Sequence, residues 1–152
     1  MNAPMKIGLI VNPIAGMGGK VGLKGTDGAA ALKKALQLGA VPVASERAEQ
    51  ALQPLALLAQ DFTIITCSGE MGENACISAG LTPSVVIRTP DRVTTKLDTM
   101  AAVGELVNIN VSLILFAGGD GTAGDVFAAL QGDTPILGIP AGVKMHSAVF
   151  AT

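Results

Sequence analysis

Six short apolar runs do most to limit what this chain can fold into. They cover residues 7–11, 41–44, 62–67, 84–89, 111–117 and 135–139, and most are unbroken and β-branched. A strand with one wet face alternates apolar and polar residues. An unbroken run is what a strand needs when helices cover both faces of its sheet. Between the runs lie stretches of helix-forming composition at 26–38, 47–60, 72–79, 94–107 and 122–130. Pro54 is expected to kink or split the second of them. This alternation predicts an α/β fold, a doubly wound and mostly parallel sheet. There is no internal repeat and no low-complexity linker.

Composition narrows the function classes. Lys and Arg total 10 against 12 Asp and Glu, with a pI near 5.2, so the basic footprint of a nucleic-acid-binding domain is missing. The aromatics are four Phe with no Trp or Tyr, which leaves little for base stacking. No apolar run reaches the ~18 residues of a membrane span. Cys67 and Cys76 are too few for a disulfide framework and lack zinc-site spacing. We therefore expect a cytoplasmic protein that binds neither nucleic acid nor membrane. Only 14% of residues are charged, so we also expect apolar surface covered by a second copy, as in a homo-oligomer, or by a further domain. The apolar end of the chain at 143–152 reads as the start of a helix, and on that ground 1–152 is expected to be one domain of a longer protein.

Chemistry concentrates where apolar runs end. After the run at 111–117 comes Gly118-Gly119-Asp120-Gly121-Thr122, leading into a helix-like stretch. In an open α/β sheet, ligands sit beyond the carboxyl ends of the strands. Glycines there let backbone N–H groups approach a phosphate, and Thr122 can cap a helix whose start favours an anion. The competing reading is a tight turn in which glycine supplies positive φ. Asp120 tips the balance. A carboxylate ~4 Å from a phosphate charge repels it by about 4 kcal/mol at an effective dielectric of about 20. An acid inside an anion cradle needs a task, such as holding Mg²⁺ or taking a proton from an attacking hydroxyl.

Three further loops follow strands. Asn12-Pro13-Ile14-Ala15-Gly16-Met17-Gly18-Gly19-Lys20 matches neither a Walker loop nor a dinucleotide fingerprint, yet is rich in donors. Lys20 and Lys24 can screen phosphate there. Ser68-Gly69-Glu70-Met71-Gly72-Glu73 follows the third run, and Gly138-Ile139-Pro140-Ala141-Gly142-Val143-Lys144 the last. Four such loops are expected to converge on one sheet edge. His146, the only His, reads as a surface helix position, and the two Cys as small core residues. Glu73 suits a helix start, while Asp91-Arg92 and Lys96 with Asp98 read as surface pairs.

Gly118-Gly119-Asp120-Gly121-Thr122 resembles the GGDGT motif of NAD kinases, diacylglycerol kinases and sphingosine kinases. Asn12-Pro13-Ile14-Ala15-Gly16 resembles the NPxxG loop of the lipid-kinase branch. Together with the loops at Ser68 and Gly138, the chain most resembles the ATP-NAD kinase-like group that includes the AcoX proteins. The resemblance implies a Rossmann- or phosphofructokinase-like N-terminal domain, with a C-terminal β-rich domain that this chain does not contain. It implies phosphoryl transfer from ATP or inorganic polyphosphate, with Mg²⁺, to a hydroxyl such as the 2′-OH of NAD. Asp120 would be the base and a Mg²⁺ ligand. Asn12, Pro13, Gly16, Ser68, Gly69, Glu70, Gly118, Gly119, Gly121, Thr122, Gly142 and Lys144 would line the nucleotide. The rival expectations are a lipid kinase and a nucleotide-binding accessory protein without turnover.

Overall fold

The computed structural model describes residues 3–15, 43–89 and 93–141. Along the chain these form β1 (Met5–Val11), α1 (Ala44–Leu52) continuing as a 3-10 turn (Gln53–Leu58), β2 (Phe62–Cys67), a second 3-10 turn (Gly69–Met71), α2 (Glu73–Ser78) and β3 (Ser84–Ile87). Then follow α3 (Lys96–Asn108), β4 (Leu113–Gly118), α4 (Asp120–Ala129) and β5 (Ile136–Pro140). The five strands make one sheet in the order β3-β2-β1-β4-β5, and every neighbouring pair is parallel. This is the expected doubly wound α/β architecture.

Burial explains the unbroken runs. Along β1, Ile7, Leu9 and Val11 pack with Ala48 and Leu52 of α1 and with Ala75 and Cys76 of α2. Ile10 points the other way, into a second cluster with Val103 and Leu106 of α3 and Val126 of α4. Leu9, Ile10 and Val11 are all fully buried, so at these three positions both faces of the strand demand apolar residues. The helices divide between the two faces as constant crossover handedness requires. Those preceding β2 and β3 lie on one face, and those preceding β4 and β5, where the chain runs toward the opposite edge, lie on the other.

Several boundaries differ from the sequence reading, each for a local reason. The run at 41–44 was expected to be a strand, but Ala44 is the first residue of α1 and Val43 its cap, with 41 and 42 outside the described residues. Pro54 does split its helix: α1 stops at Leu52 and the chain tightens into the 3-10 turn that Pro54 opens, because proline lacks an amide hydrogen and its ring blocks a continuing α-helix. Asp98, expected as the surface partner of Lys96, holds the helix start. Its Oδ2 accepts the Thr95 amide at 2.8 Å and so caps the start of α3. The stretches 26–38 and 143–152, together with Lys20, Lys24, Asp91, Arg92 and His146, lie outside the described residues.

Both cysteines are buried and free, and they belong to clusters on opposite faces of the sheet. Burial pushes the Cys67 thiol up to about 12. Burial, and secondarily the charge of Glu73, does the same to Cys76. These are core residues, as expected. The thin supply of charge leaves apolar side chains in water, with Leu57 90% and Phe127 72% exposed.

Candidate functional site

Strand order fixes where a ligand crevice can form. β1 and β4 are neighbours, but the chain leaves β1 toward β2 and leaves β4 toward β5. Their outgoing loops diverge, and an open α/β sheet has its crevice at such a switch point. The two loops there are the ones beginning at Asn12 and Gly119.

The loop after β1 is a compact turn. The Ala15 amide donates to the Asn12 carbonyl at 3.1 Å, with Pro13 in the second position, where its fixed φ suits a β-turn. Asn12 holds the turn in three directions. Its own amide donates to the Ala117 carbonyl of β4 at 2.9 Å. Its Oδ1 accepts the Ile14 amide at 3.3 Å. Its Nδ2 donates to Thr122 Oγ1 of α4 at 2.9 Å.

Across the crevice, the Gly-Gly-Asp-Gly-Thr segment is organised differently from the expectation. Gly118 ends β4, Gly119 caps α4, and Asp120 is the first helical residue. Thr122 is therefore not the cap: it lies within the first turn, 4% exposed, with its hydroxyl turned to Asn12. Gly118 and Gly119 do not take the positive φ of a tight turn; Gly119 has φ −108. Gly118 is needed for space, since a Cβ there would run into Thr122 Oγ1, Cβ and Cγ2. Asp120 is half-buried. No side chain caps α4, and the first amides of a helix have no intrahelical acceptor, so this end of α4 favours negative charge.

The loop after β2 lies one strand away on the same edge, ~5 Å along the hydrogen-bonding direction. Ser68 Oγ accepts the Thr89 amide at 2.9 Å, and Thr89 Oγ1 donates to the Ser68 carbonyl at 3.1 Å. Glu73 Oε1 accepts the Gly69 amide at 2.9 Å. Glu70 is exposed at the turn. Gly72, at φ 153, sits against the Thr66 side chain, whose hydroxyl donates to the Leu9 carbonyl of β1 at 2.8 Å. The loop after β5 starts with Ala141, whose amide extends the ladder to the Gly118 carbonyl at 2.9 Å.

The structure thus gathers Asn12, Pro13, Gly118, Gly119, Asp120, Gly121 and Thr122 at the switch point and sets Ser68, Gly69 and Glu70 beside them. Gly16, Gly142 and Lys144 lie outside the described residues. Thr89, which ties β3 to the Ser68 loop, was not singled out from the sequence. A Ser and a Thr leaving adjacent parallel strands are its only sequence trace. Among the described residues no three His, Cys, Asp or Glu converge as a ready metal cage. No described helix is long and apolar enough to cross a membrane.

A parallel doubly wound sheet with a glycine-flanked acid at its switch point defines the class: an open α/β domain whose ligand crevice is expected between β1 and β4. The family described as the ATP-NAD kinase N-terminal domain matches residues 7–152, and the chain belongs to that family. No curated protein and no solved structure matches it.

Proposed function

We propose that this domain serves an ATP- or polyphosphate-dependent kinase of the NAD kinase type, which phosphorylates a hydroxyl, the 2′-OH of NAD. The observation that carries the reading is Asp120 as the first residue of a helix whose N-terminus faces the switch-point crevice. A helix start attracts the phosphates, and a carboxylate at the same point would otherwise oppose them. Its presence is explained if it accepts the proton of the attacking hydroxyl.

In this mechanism the loop backbones at Pro13, Gly119 and Gly121 approach the phosphates. Ser68, Gly69 and Glu70 border the nucleotide on the β2 side, and Gly16, Gly142 and Lys144 would complete the lining. The donor set fits Mg²⁺ carried in with the nucleotide, an ion that keeps several waters and takes few protein ligands. Asp120 would be that ligand, and the ion supplies charge neutralisation on the transferred group. Asp120 orients the acceptor hydroxyl and takes its proton as the new P–O bond forms and the bond to the leaving phosphate breaks. A second, β-rich domain closes the crevice from above, in a cytoplasmic protein.

The test is Asp120→Asn in the full-length protein, assayed with ATP or polyphosphate as donor and NAD or diacylglycerol as acceptor. Turnover on NAD should fall by about a thousandfold or more, with nucleotide affinity nearly unchanged. An active Asn variant refutes the base. Turnover on diacylglycerol alone replaces the acceptor with a lipid. Nucleotide binding without turnover in the wild type makes the domain a regulator.

A further inference from the structure

We infer that Asn12 and Thr122 form a positioning brace, in which the two side chains serve each other and the bond between them sets where Asp120 stands against the loop after β1. This rests on the reading of Asp120 as the base and extends it to how the base is aimed.

The polar atoms of Asn12 face protein. Nδ2 donates to Thr122 Oγ1 at 2.9 Å and Oδ1 accepts the Ile14 amide at 3.3 Å. Thr122 is 4% exposed, so its hydroxyl is nearly withdrawn from solvent. The bond spans 110 residues of sequence and joins the two loops that diverge at the switch point. Thr122 lies two positions beyond Asp120 in the same first turn of α4, so a displacement of Thr122 carries Asp120 with it. The absent Cβ at Gly118 is what lets Thr122 lie this close to the strand end. These features convert a divergent pair of loops into one unit. Had Asn12 been there to hold a ligand, an amide turned toward the crevice would have served; here its amide is turned into the opposite wall.

Two measurements test the brace in wild type, Asn12→Ala, Thr122→Val, the double variant and Thr122→Ser. Valine keeps the shape of threonine and removes the acceptor; serine keeps the acceptor. The first is hydrogen exchange on the 152-residue chain. The Ala15 amide, bonded to Asn12 in the β1 turn, and the Ala123 amide, bonded to Gly119 in α4, report the two ends. Thr122→Val should speed exchange at Ala15, and Asn12→Ala at Ala123, each by about two- to tenfold, the range of one net hydrogen bond. The double variant should be no faster than the worse single, and Thr122→Ser should lie near wild type. Additive effects, or effects confined to the mutated loop, overturn the brace. The second is turnover in the full-length protein. Asn12→Ala and Thr122→Val should each lower kcat by about ten- to a hundredfold with nucleotide KM nearly kept, as expected for a misplaced catalytic group. A raised KM with kcat kept makes Asn12 a direct ligand instead and overturns the proposal. Failure of the base reading shows separately, in an active Asp120→Asn.

Discussion

Replacing Gly118 by Ala tests the geometry of the site through stability alone. A Cβ at this position falls 2.5 Å from Thr122 Cβ and 2.7 Å from its Cγ2, and closer still to Oγ1. The collision cannot be relieved by turning a flexible side chain, because Thr122 Cβ is fixed to the helix backbone. The start of α4 must move away from the end of β4. Overpacking of this kind costs about 1–3 kcal/mol. The movement also breaks the bond from Asn12, worth about 0.5–1.5 kcal/mol net. The expected loss is about 2–4 kcal/mol, which at ~2–4 °C per kcal/mol for a domain of this size lowers Tm by about 5–15 °C. The assay is thermal unfolding by circular dichroism, with urea unfolding to show that the midpoint moves while the slope stays. Gly124→Ala is the control. It lies in the same helix with open space around a new Cβ, and helix propensity alone predicts up to ~1 kcal/mol of stabilisation. If Gly118→Ala melts within about 1 °C of wild type, the close approach of α4 to β4 is wrong, and the brace built on it falls too.

The two thiols, pushed to about 12 from 9.0, should resist alkylation of the native protein at pH 8, since their thiolate fraction is about a thousandfold below that of a free cysteine; rapid native labelling would contradict their burial. In the unfolded chain the same thiols ionise near 9.0, so between pH 9 and 12 the native state holds more protons and stability falls as pH rises. The slope is about 1.4 kcal/mol per pH unit for each cysteine, measurable as a falling urea midpoint, and Cys67→Ala should flatten it by about half. Gly72→Ala combines positive φ with a collision on the Thr66 hydroxyl, and should destabilise by about 2 kcal/mol or more, read by the same melts. Phe116→Ala in the fully buried middle of β4 should cost about 3–5 kcal/mol, and a loss under about 1 kcal/mol would show that the core has collapsed around the gap.

The parts of the fold written in the sequence are those where burial on both sheet faces leaves no choice of residue. The stretch Phe62–Cys67 coincides with the expected strand because every position in it meets strand partners or one of the two cores. At the end of the run at 41–44, Val43 and Ala44 open a helix instead of a strand, because a four-residue apolar stretch has no period of its own and Ala44 buries equally well from a helix. The site was legible as chemistry and only partly as geometry. A glycine-flanked acid after an apolar run announced the crevice, but glycine at 118 looks the same whether it serves a phosphate, a positive φ or the bulk of Thr122. The tie between Asn12 and Thr122 left no trace, because neither residue is unusual where it stands and 110 residues separate them.

That separation has a consequence for biosynthesis. The crevice has one wall made first in translation and the other only after β4 has been made, some 110 residues later. At ~5–20 residues per second the delay is roughly 5–20 s. Throughout it the first strand, whose Leu9, Ile10 and Val11 are wholly enclosed in the finished domain, has at most β2 beside it. A strand with three wholly enclosed side chains must therefore wait on the ribosome with an open edge until β4 arrives to cover it.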